Sequence, residues 1–360
     1  MRFLLSLCST FVFILCTTQL FNQSPYPVRG LSVAAPLPEG MDEFVTFIDQ
    51  DLTEAGVNVL ILRVDWRYQY QYHPELIGEN FLSKTEVKKM VRICQANDIR
   101  LILQINLLGH QSWHSNLGKL LEVYPEFDET PDIQLPEEYK WPNEDGLYCK
   151  SYCPLHPEVH KVVFDLVDEI VEVFEADGFH AGLDEVFYLA HEDCPRCKGR
   201  DPAVLFAGEV NRIYNHLHQM DVELWMWGDR LIDGRITGIG MWEGSYNNTW
   251  RAIDMIDKDV VICDWHYERA DPTAAIFAAK GFRVATCPWR TPDVALRQEI
   301  MMRTFIEEST PAMKDRYLGM IQTVWTSAER FMKEYRHPEV IEVKNTSGNC
   351  FRELSEVWKK

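Results

Sequence analysis

Two adjacent carboxylates, Asp184 and Glu185, end a short run of small and apolar residues that begins after Asp177-Gly178. Neighbouring side chains in a regular strand point to opposite faces, so both acids can serve one site only if the strand ends between them. If they converge, burial and mutual repulsion keep one of them protonated near neutral pH. The pair then offers general acid–base chemistry, whereas the dipeptide taken alone fits a solvated loop equally well.

The elements that must position these acids follow a regular pattern, because short β-branched runs alternate with amphipathic segments. The pattern predicts strands at residues 28–34, 57–64, 99–106, 179–184, 222–227, 260–265, 282–287 and 320–325. It predicts helices at residues 41–55, 84–96, 157–176, 202–219, 273–280, 292–308 and 351–359. Eight strands joined by crossovers predict an α/β protein with a single (β/α)8 TIM barrel over residues 21–360. A long insert, from about residue 117 to 153, follows strand three.

Aromatic residues recur where the predicted strands end, which is the rim that carries the active site in such barrels. These residues are Trp66, Trp227, Trp265, Tyr267, Trp289 and Trp325. A single tryptophan is often only a large core residue. Their recurrence predicts an aromatic-walled pocket, since aromatic faces stack on the C–H surfaces of sugars.

The net charge of −19 argues against a nucleic-acid or anionic-membrane surface, because phosphate binding requires clustered lysine and arginine. Arg2 followed by the apolar residues 3–16 predicts a signal peptide over residues 1–20, or an N-terminal anchor, and hence an exported protein. The apolar run is short for a membrane span. The exported protein is expected to be secreted, periplasmic or at the cell surface. It is expected to contact a membrane only through such an anchor.

Eight cysteines follow this segment, and four of them are closely spaced in pairs, Cys149 with Cys153 and Cys194 with Cys197. Such spacings occur in four-thiolate zinc sites. Export would equally allow one or two disulfides, and buried free thiols are a third interpretation. The sequence leaves the three open.

The stretch His180-Ala-Gly-Leu-Asp-Glu185 resembles the His-x-Gly-Gly-Asp-Glu motif of family 20 glycoside hydrolases, the β-N-acetylhexosaminidases. The likeness continues in order through Arg29-Gly-Leu31, Leu108-Gly-His110 and Tyr152-Cys-Pro-Leu-His-Pro-Glu158. The resemblance implies an enzyme that removes terminal β-linked N-acetylhexosamine from a carbohydrate or glycoconjugate. It implies no cofactor and no metal.

The resemblance also implies a substrate-assisted retaining mechanism, in which the 2-acetamido oxygen of the substrate attacks C1. Glu185 would act as general acid and then base, and Asp184 would orient the acetamido group and stabilise the oxazolinium. His110 would position the acids and Arg29 would bind sugar hydroxyls, although a buried histidine and a rim ion pair are simpler roles. The implied sugar-pocket residues are Trp227, Trp265, Tyr267, Trp289 and Trp325.

Several departures from the family pattern keep other functions open, among them strand one, which continues as Ser32-Val-Ala-Ala35. Leu183 stands where the motif has its second glycine, and Ser327 stands where many members have a glutamate after the strand-eight tryptophan. One rival is a double-displacement glycosidase with Glu185 as acid/base and Glu243 or Glu268 as nucleophile. The other is a carbohydrate-binding barrel without hydrolytic activity.

Overall fold

The computed structural model describes residues 26–140, 149–340 and 342–359. Eight strands form a closed parallel barrel, in which the first strand pairs with both the second and the eighth. The strands are β1 (Val28–Ala34), β2 (Val59–Arg63), β3 (Arg100–Leu107), β4 (Gly178–Gly182), β5 (Glu223–Trp227), β6 (Val261–Trp265), β7 (Arg283–Cys287) and β8 (Tyr317–Thr323). The predicted (β/α)8 TIM barrel is therefore confirmed. The predicted signal peptide or anchor, residues 1–20, lies outside the described residues.

Helices cover the outside of the barrel. The longer ones are Met41–Phe47, continued by the π-helical Ile48–Leu52, then Lys84–Ala96, Val159–Val173, Pro202–His218, Ala274–Ala279, Pro292–Glu308, Ala328–Arg336 and Ser347–Trp358. Short helices lie at Lys119–Val123, Gly234–Thr237 and Pro311–Lys314, and a 3-10 helix at Thr249–Asp254. The connection between β5 and β6 thus has no long helix. Among the described helices, none has the length and apolarity that a membrane crossing demands.

Local sequence signals explain where these helices begin. Ser83 and Glu86 form a capping box: the Ser83 hydroxyl accepts from the backbone N–H of Glu86, whose carboxylate accepts from the backbone N–H of Ser83 at 2.7 Å. Helix Lys84–Ala96 then buries Val87, Met90 and Cys94 at helical spacing against the outside of the sheet. Such faces build the large core between helices and barrel.

A second core fills the inside of the barrel, and the alternation of strand residues decides which side chains enter it. Val28 of β1 packs inside, whereas Leu31 and Val33 belong to the outer core. Arg29 therefore points outward, and its guanidinium donates to the carbonyls of Gly56 at 2.7 Å and Tyr26 at 2.8 Å. Both carbonyls lie at the N-terminal end of the barrel. The predicted sugar-binding role of Arg29 is corrected by this placement.

An ionic cluster closes the same N-terminal end. Glu223 at the start of β5 accepts from Arg100 of β3 at 2.8 Å and from Arg283 of β7 at 2.5 Å. Arg100 also binds Asp177, in the turn before β4, at 2.7 Å. Burial raises the pKa of Glu223, but the two guanidinium groups outweigh it and hold that pKa below its usual value. The cluster joins alternate strands away from the rim that carries the acids.

Candidate active site

The backbone after β4 departs from strand geometry and brings the two acids together. β4 ends at Gly182, two residues before its predicted end, and Gly182, Leu183 and Glu185 have φ values of 68°, 68° and 50°. A left-handed leucine costs about 1–2 kcal/mol, and the complete burial of the Leu183 side chain in the outer core offsets this cost. The irregular path turns both carboxylates toward His110, whose Nε2 lies 3.1 Å from Asp184 Oδ2 and 3.3 Å from Glu185 Oε2.

His110 follows β3 through Gly109, where the chains approach closely. A Cβ atom at Gly109 would lie 2.5 Å from the carbonyl oxygen of Asp184, so a larger residue would push the acid pair away. Burial lowers the pKa of His110, but the carboxylates of Asp184 and Glu185 outweigh it and raise the pKa to about 9. His110 is therefore an imidazolium at neutral pH, and its Nε2–H donates to Asp184.

The two acids have opposite protonation preferences. Burial, together with the negative charges of Asp184 and Asp229, raises the pKa of Glu185 to about 7 against the opposing effect of His110. Burial also raises the pKa of Asp184, but the charge and hydrogen bond of His110 outweigh it, and this pKa lies below its usual value. The site thus holds a carboxyl that can carry a proton near pH 7 beside one that stays ionised.

Two contacts of Glu185 were not predicted from the sequence. The Cys149 thiol donates to Glu185 Oε2 at 3.3 Å, and Asp229 Oδ2 accepts from the Glu185 backbone N–H at 2.9 Å. Asp229 is itself held by Arg230 Nε at 2.6 Å. Asp229 could have been predicted from the sequence as an acid at the barrel rim, because it lies two residues past the end of β5. Cys149 carried no such signal, because its spacing to Cys153 suggested a different partner.

The five aromatic residues predicted for the pocket form one continuous wall. The ring centroids of Trp227 and Trp325 are 5.9 Å apart, those of Trp265 and Tyr267 4.9 Å, and those of Tyr267 and Trp289 5.3 Å. Trp325 Nε1 donates to the Tyr267 hydroxyl at 2.7 Å, which fixes both rings. The structure therefore brings together every predicted site residue except Arg29.

Polar atoms with unused hydrogen-bonding capacity lie among these groups. Asp184 Oδ1 and Trp289 Nε1 are buried and have no hydrogen-bond partner within residues 26–140, 149–340 and 342–359. Burial raises the pKa of Tyr267 well above its usual value, and the negative charge of Asp184 adds to this, so the phenol stays protonated. The site presents one carboxylate acceptor together with an indole N–H and a phenol O–H.

An arginine that the sequence analysis did not select also reaches this rim. Arg63 is the last residue of β2, and its guanidinium stacks 4.9 Å from the ring centroid of Trp325. Its Nε lies 3.6 Å from Asp65 Oδ2. Its side chain is 20% exposed, so it remains accessible to a ligand. It was recognisable in principle as a charged residue at a strand end.

The acids proposed as rival nucleophiles have other surroundings. Glu243 Oε2 lies 2.6 Å from His266 Nδ1, and Glu268 is exposed. Glu243 is therefore engaged by a buried histidine, whereas Glu268 faces solvent.

Three groups of described side chains have donor atoms close enough to share a metal ion. They are His110 with Cys149 and Glu185; Glu243 with His266 and Asp271; and Glu129 with Cys153, Cys194 and Cys197. The four cysteines of the zinc interpretation are therefore not brought together, because Cys149 lies with the acid pair and Glu129 lies with the other three. The eight described cysteines are all buried.

Residues 60–335 match the family model of the glycosyl hydrolase family 20 catalytic domain. A β-hexosaminidase of Emericella nidulans is 24% identical over 274 residues, which are 67% of this chain and 40% of that protein. A β-hexosaminidase of Akkermansia muciniphila is 31% identical over 121 residues, 33% of this chain and 22% of that protein. The chain thus spans less than half the length of these curated relatives.

Solved structures show the same architecture. The exo-β-N-acetylglucosaminidase of Vibrio harveyi in complex with N-acetylglucosamine superposes with a TM-score of 0.63 at 15% identity, covering 93% of this chain and 57% of that one. The chitobiase of Flavobacterium johnsoniae gives a TM-score of 0.61 at 16% identity, covering 93% and 51%. At these identities the likeness establishes the fold.

Proposed function

The chain belongs to glycosyl hydrolase family 20, and from this we propose that it hydrolyses the bond to a terminal β-linked N-acetylhexosamine of a carbohydrate or glycoconjugate. The observation that carries the proposal is the buried, unsatisfied Oδ1 of ionised Asp184 beside Glu185, whose pKa is about 7. Such an acceptor suits an amide N–H, and the neighbouring acid suits proton transfer to a leaving oxygen.

The acetamido group of the substrate would be bound at both ends. Asp184 Oδ1 accepts from its N–H, while the Tyr267 hydroxyl or Trp289 Nε1 donates to its carbonyl oxygen. Held in this way, the carbonyl oxygen attacks C1 as the glycosidic C1–O bond breaks, and no carboxylate of the protein becomes glycosylated. The negative charge of Asp184 stabilises the oxazolinium that forms.

Glu185 would carry the proton in both steps. Its protonated form donates to the leaving oxygen in the first step, and the resulting carboxylate removes a proton from the water that attacks C1 and reopens the ring in the second. The contacts from His110 and Cys149 hold this side chain in place.

The aromatic wall and Arg63 would hold the rest of the sugar. Tyr267, Trp289 and Trp325, which are partly exposed, present ring faces to its C–H surface. The buried rings of Trp227 and Trp265 pack against Trp325 and Tyr267 and support them. Ser327, which replaces the family glutamate, accepts from the Arg330 backbone N–H at 3.2 Å and caps helix Ala328–Arg336. We therefore assign the sugar hydroxyls to Arg63, which stacks beside Trp325.

We also propose that the protein is exported. The support is the sequence itself, in which Arg2 precedes an apolar run that is short for a membrane span. N-terminal sequencing of the protein from the producing cells and from their medium checks this. A chain beginning after about residue 20 outside the cytoplasm is expected, and an intact chain confined to the cytoplasm would contradict it.

Hydrolysis of aryl β-N-acetylglucosaminide and β-N-acetylgalactosaminide, compared with the plain β-glucoside and β-galactoside, tests the proposed activity. Turnover is expected only of the N-acetyl substrates, with tight inhibition by a thiazoline mimic of the oxazolinium. The Glu185→Gln variant should lose about 10²–10⁴-fold in kcat. The exposed rim acid provides a matched control, since Glu268→Gln should retain activity.

The rival functions predict different results. Turnover of the plain glycosides, with loss of activity in Glu243→Gln or Glu268→Gln, would replace the substrate-assisted mechanism with double displacement. Sugar binding without turnover of any substrate would make the protein a carbohydrate-binding barrel.

A further inference from the structure

Three cysteines and a glutamate from separate segments meet beside the loops that carry the active site. Glu129 follows the 3-10 turn Pro125–Phe127, Cys153 precedes helix Val159–Val173, and Cys194 and Cys197 lie in the loop after β4. All four side chains are fully buried, and their donor atoms lie within 4.8 Å of one another. This cluster takes no part in the proposed hydrolysis.

The distances between the sulfurs suit a tetrahedral ion. Cys153 Sγ lies 3.2 Å from Cys197 Sγ and 3.5 Å from Cys194 Sγ. Zinc–sulfur bonds of about 2.3 Å place tetrahedral sulfur ligands about 3.8 Å apart, so the thiols need only small movements to surround an ion. The Cys197 backbone N–H donates to Cys194 Sγ at 3.2 Å, a contact that favours the thiolate form of a ligand.

Among the described residues, no lysine, arginine or histidine forms an ion pair with the carboxylate of Glu129. Glu129 Oε1 accepts from the backbone N–H of His191 at 3.2 Å, and the other groups that face this carboxylate are the thiols of Cys153, Cys194 and Cys197. The buried Lys150 is committed elsewhere, to Asp128 at 2.6 Å and to the carbonyl of Thr130 at 2.8 Å. Burying a carboxylate in this way is costly unless a cation accompanies it.

We propose that Glu129, Cys153, Cys194 and Cys197 bind one Zn²⁺ in a tetrahedral structural site. Three thiolates select a soft or borderline ion such as zinc over magnesium or calcium. Four protein ligands complete the coordination, which is the arrangement of structural rather than catalytic zinc. The observations that support this site do not depend on the hydrolytic activity proposed above.

The ion would join the segment after β3 to the loop after β4. Cys149, four residues before Cys153, donates to Glu185, and the backbone N–H of Glu129 donates to the carbonyl of Ser151 at 3.0 Å. The zinc site therefore supports the segment whose Cys149 contacts the general acid, without itself contacting the substrate.

Metal analysis of the full-length protein, purified without chelators, tests the proposal. We expect about one zinc per chain, as for a site with four protein ligands. Protein produced with cobalt in place of zinc should show thiolate-to-cobalt charge-transfer absorption, a readout that needs no variant. Removal of the ion by a strong chelator should lower the melting temperature, and added zinc should restore it.

Variants locate the site. Cys197→Ser and Glu129→Gln should each reduce the zinc content, whereas the control Cys350→Ser, at another buried free cysteine, should keep it. Zinc-free wild-type protein without the cobalt absorption would overturn the proposal. So would a disulfide between Cys153 and Cys197, seen as a mass lower by two hydrogens in the unreduced protein, or undiminished zinc in Cys197→Ser. Activity is not a readout, so failure here leaves the proposed hydrolysis separately testable.

Discussion

Replacing Glu185 with glutamine should remove the general acid and yet stabilise the folded protein above pH 7. Burial and the charges of Asp184 and Asp229 raise the pKa of Glu185 from 4.5 to about 7, and its side chain is 14% exposed. A pKa change of that size corresponds to about 3 kcal/mol of free energy. Glutamine has nearly the same shape and cannot ionise, so it avoids this cost.

The direction of the effect follows from proton binding. The folded protein holds the Glu185 proton more tightly than the unfolded chain does, so this contribution to stability is complete below pH 4.5 and is lost as the pH rises through about 7. The glutamine variant does not undergo this loss. Its free energy of unfolding, relative to the wild type, should therefore rise by up to about 3 kcal/mol between pH 4.5 and pH 8.

Denaturant unfolding of both proteins across this pH range, with kcat measured in parallel, provides the assay. Glu308→Gln, at an exposed glutamate that ends helix Pro292–Glu308, controls for the loss of one negative charge. A difference in unfolding free energy between wild type and Glu185→Gln that stays constant with pH would refute the assignment of Glu185 as the acid held protonated by its surroundings.

Three further perturbations examine the site. In the wild type, kcat/KM should fall as the pH rises through about 7. The thiol of Cys149 stabilises ionised Glu185, so Cys149→Ala should raise the pKa of Glu185 and move this fall in kcat/KM to higher pH. An unchanged pH profile would contradict the contact. Tyr267→Phe should lower kcat/KM for N-acetyl substrates by about 10–100-fold while thermal stability changes little, and unchanged kinetics would exclude the hydroxyl from acetamido binding. Asp229→Ala leaves Arg230 buried without its partner and should cost about 3–5 kcal/mol in denaturant unfolding, whereas a neutral result would show the ion pair to be unimportant.

Much of the fold was predictable because its signals are local. β1 has its predicted bounds, and so do the helices Lys84–Ala96 and Pro292–Glu308, which begin at a capping box and at a proline. Helix Ala328–Arg336 was not predicted, although Ser327 caps it, because only a narrow apolar stripe around Phe331 and Met332 faces the core.

The site was less predictable where it depends on backbone geometry. The sequence identified Asp184 and Glu185, but their convergence rests on left-handed conformations at Leu183 and Glu185, which non-glycine residues seldom adopt. The role of Arg29 was taken from the family resemblance alone, and the alternation of side chains along β1 places Arg29 on the outer face instead. Which thiol approaches Glu185 depends on how the insert after β3 folds, and cysteine spacing does not encode that.

The ionic cluster at the N-terminal end of the barrel determines how substitutions there affect the stability of this protein. Glu223, Arg100 and Arg283 fasten three alternate strands at the end opposite the acid pair. These ion pairs thus stabilise the barrel at the end that makes no contact with the acid pair. Substitution of Glu223 should shorten the working lifetime of a preparation while each surviving molecule keeps its kinetic constants.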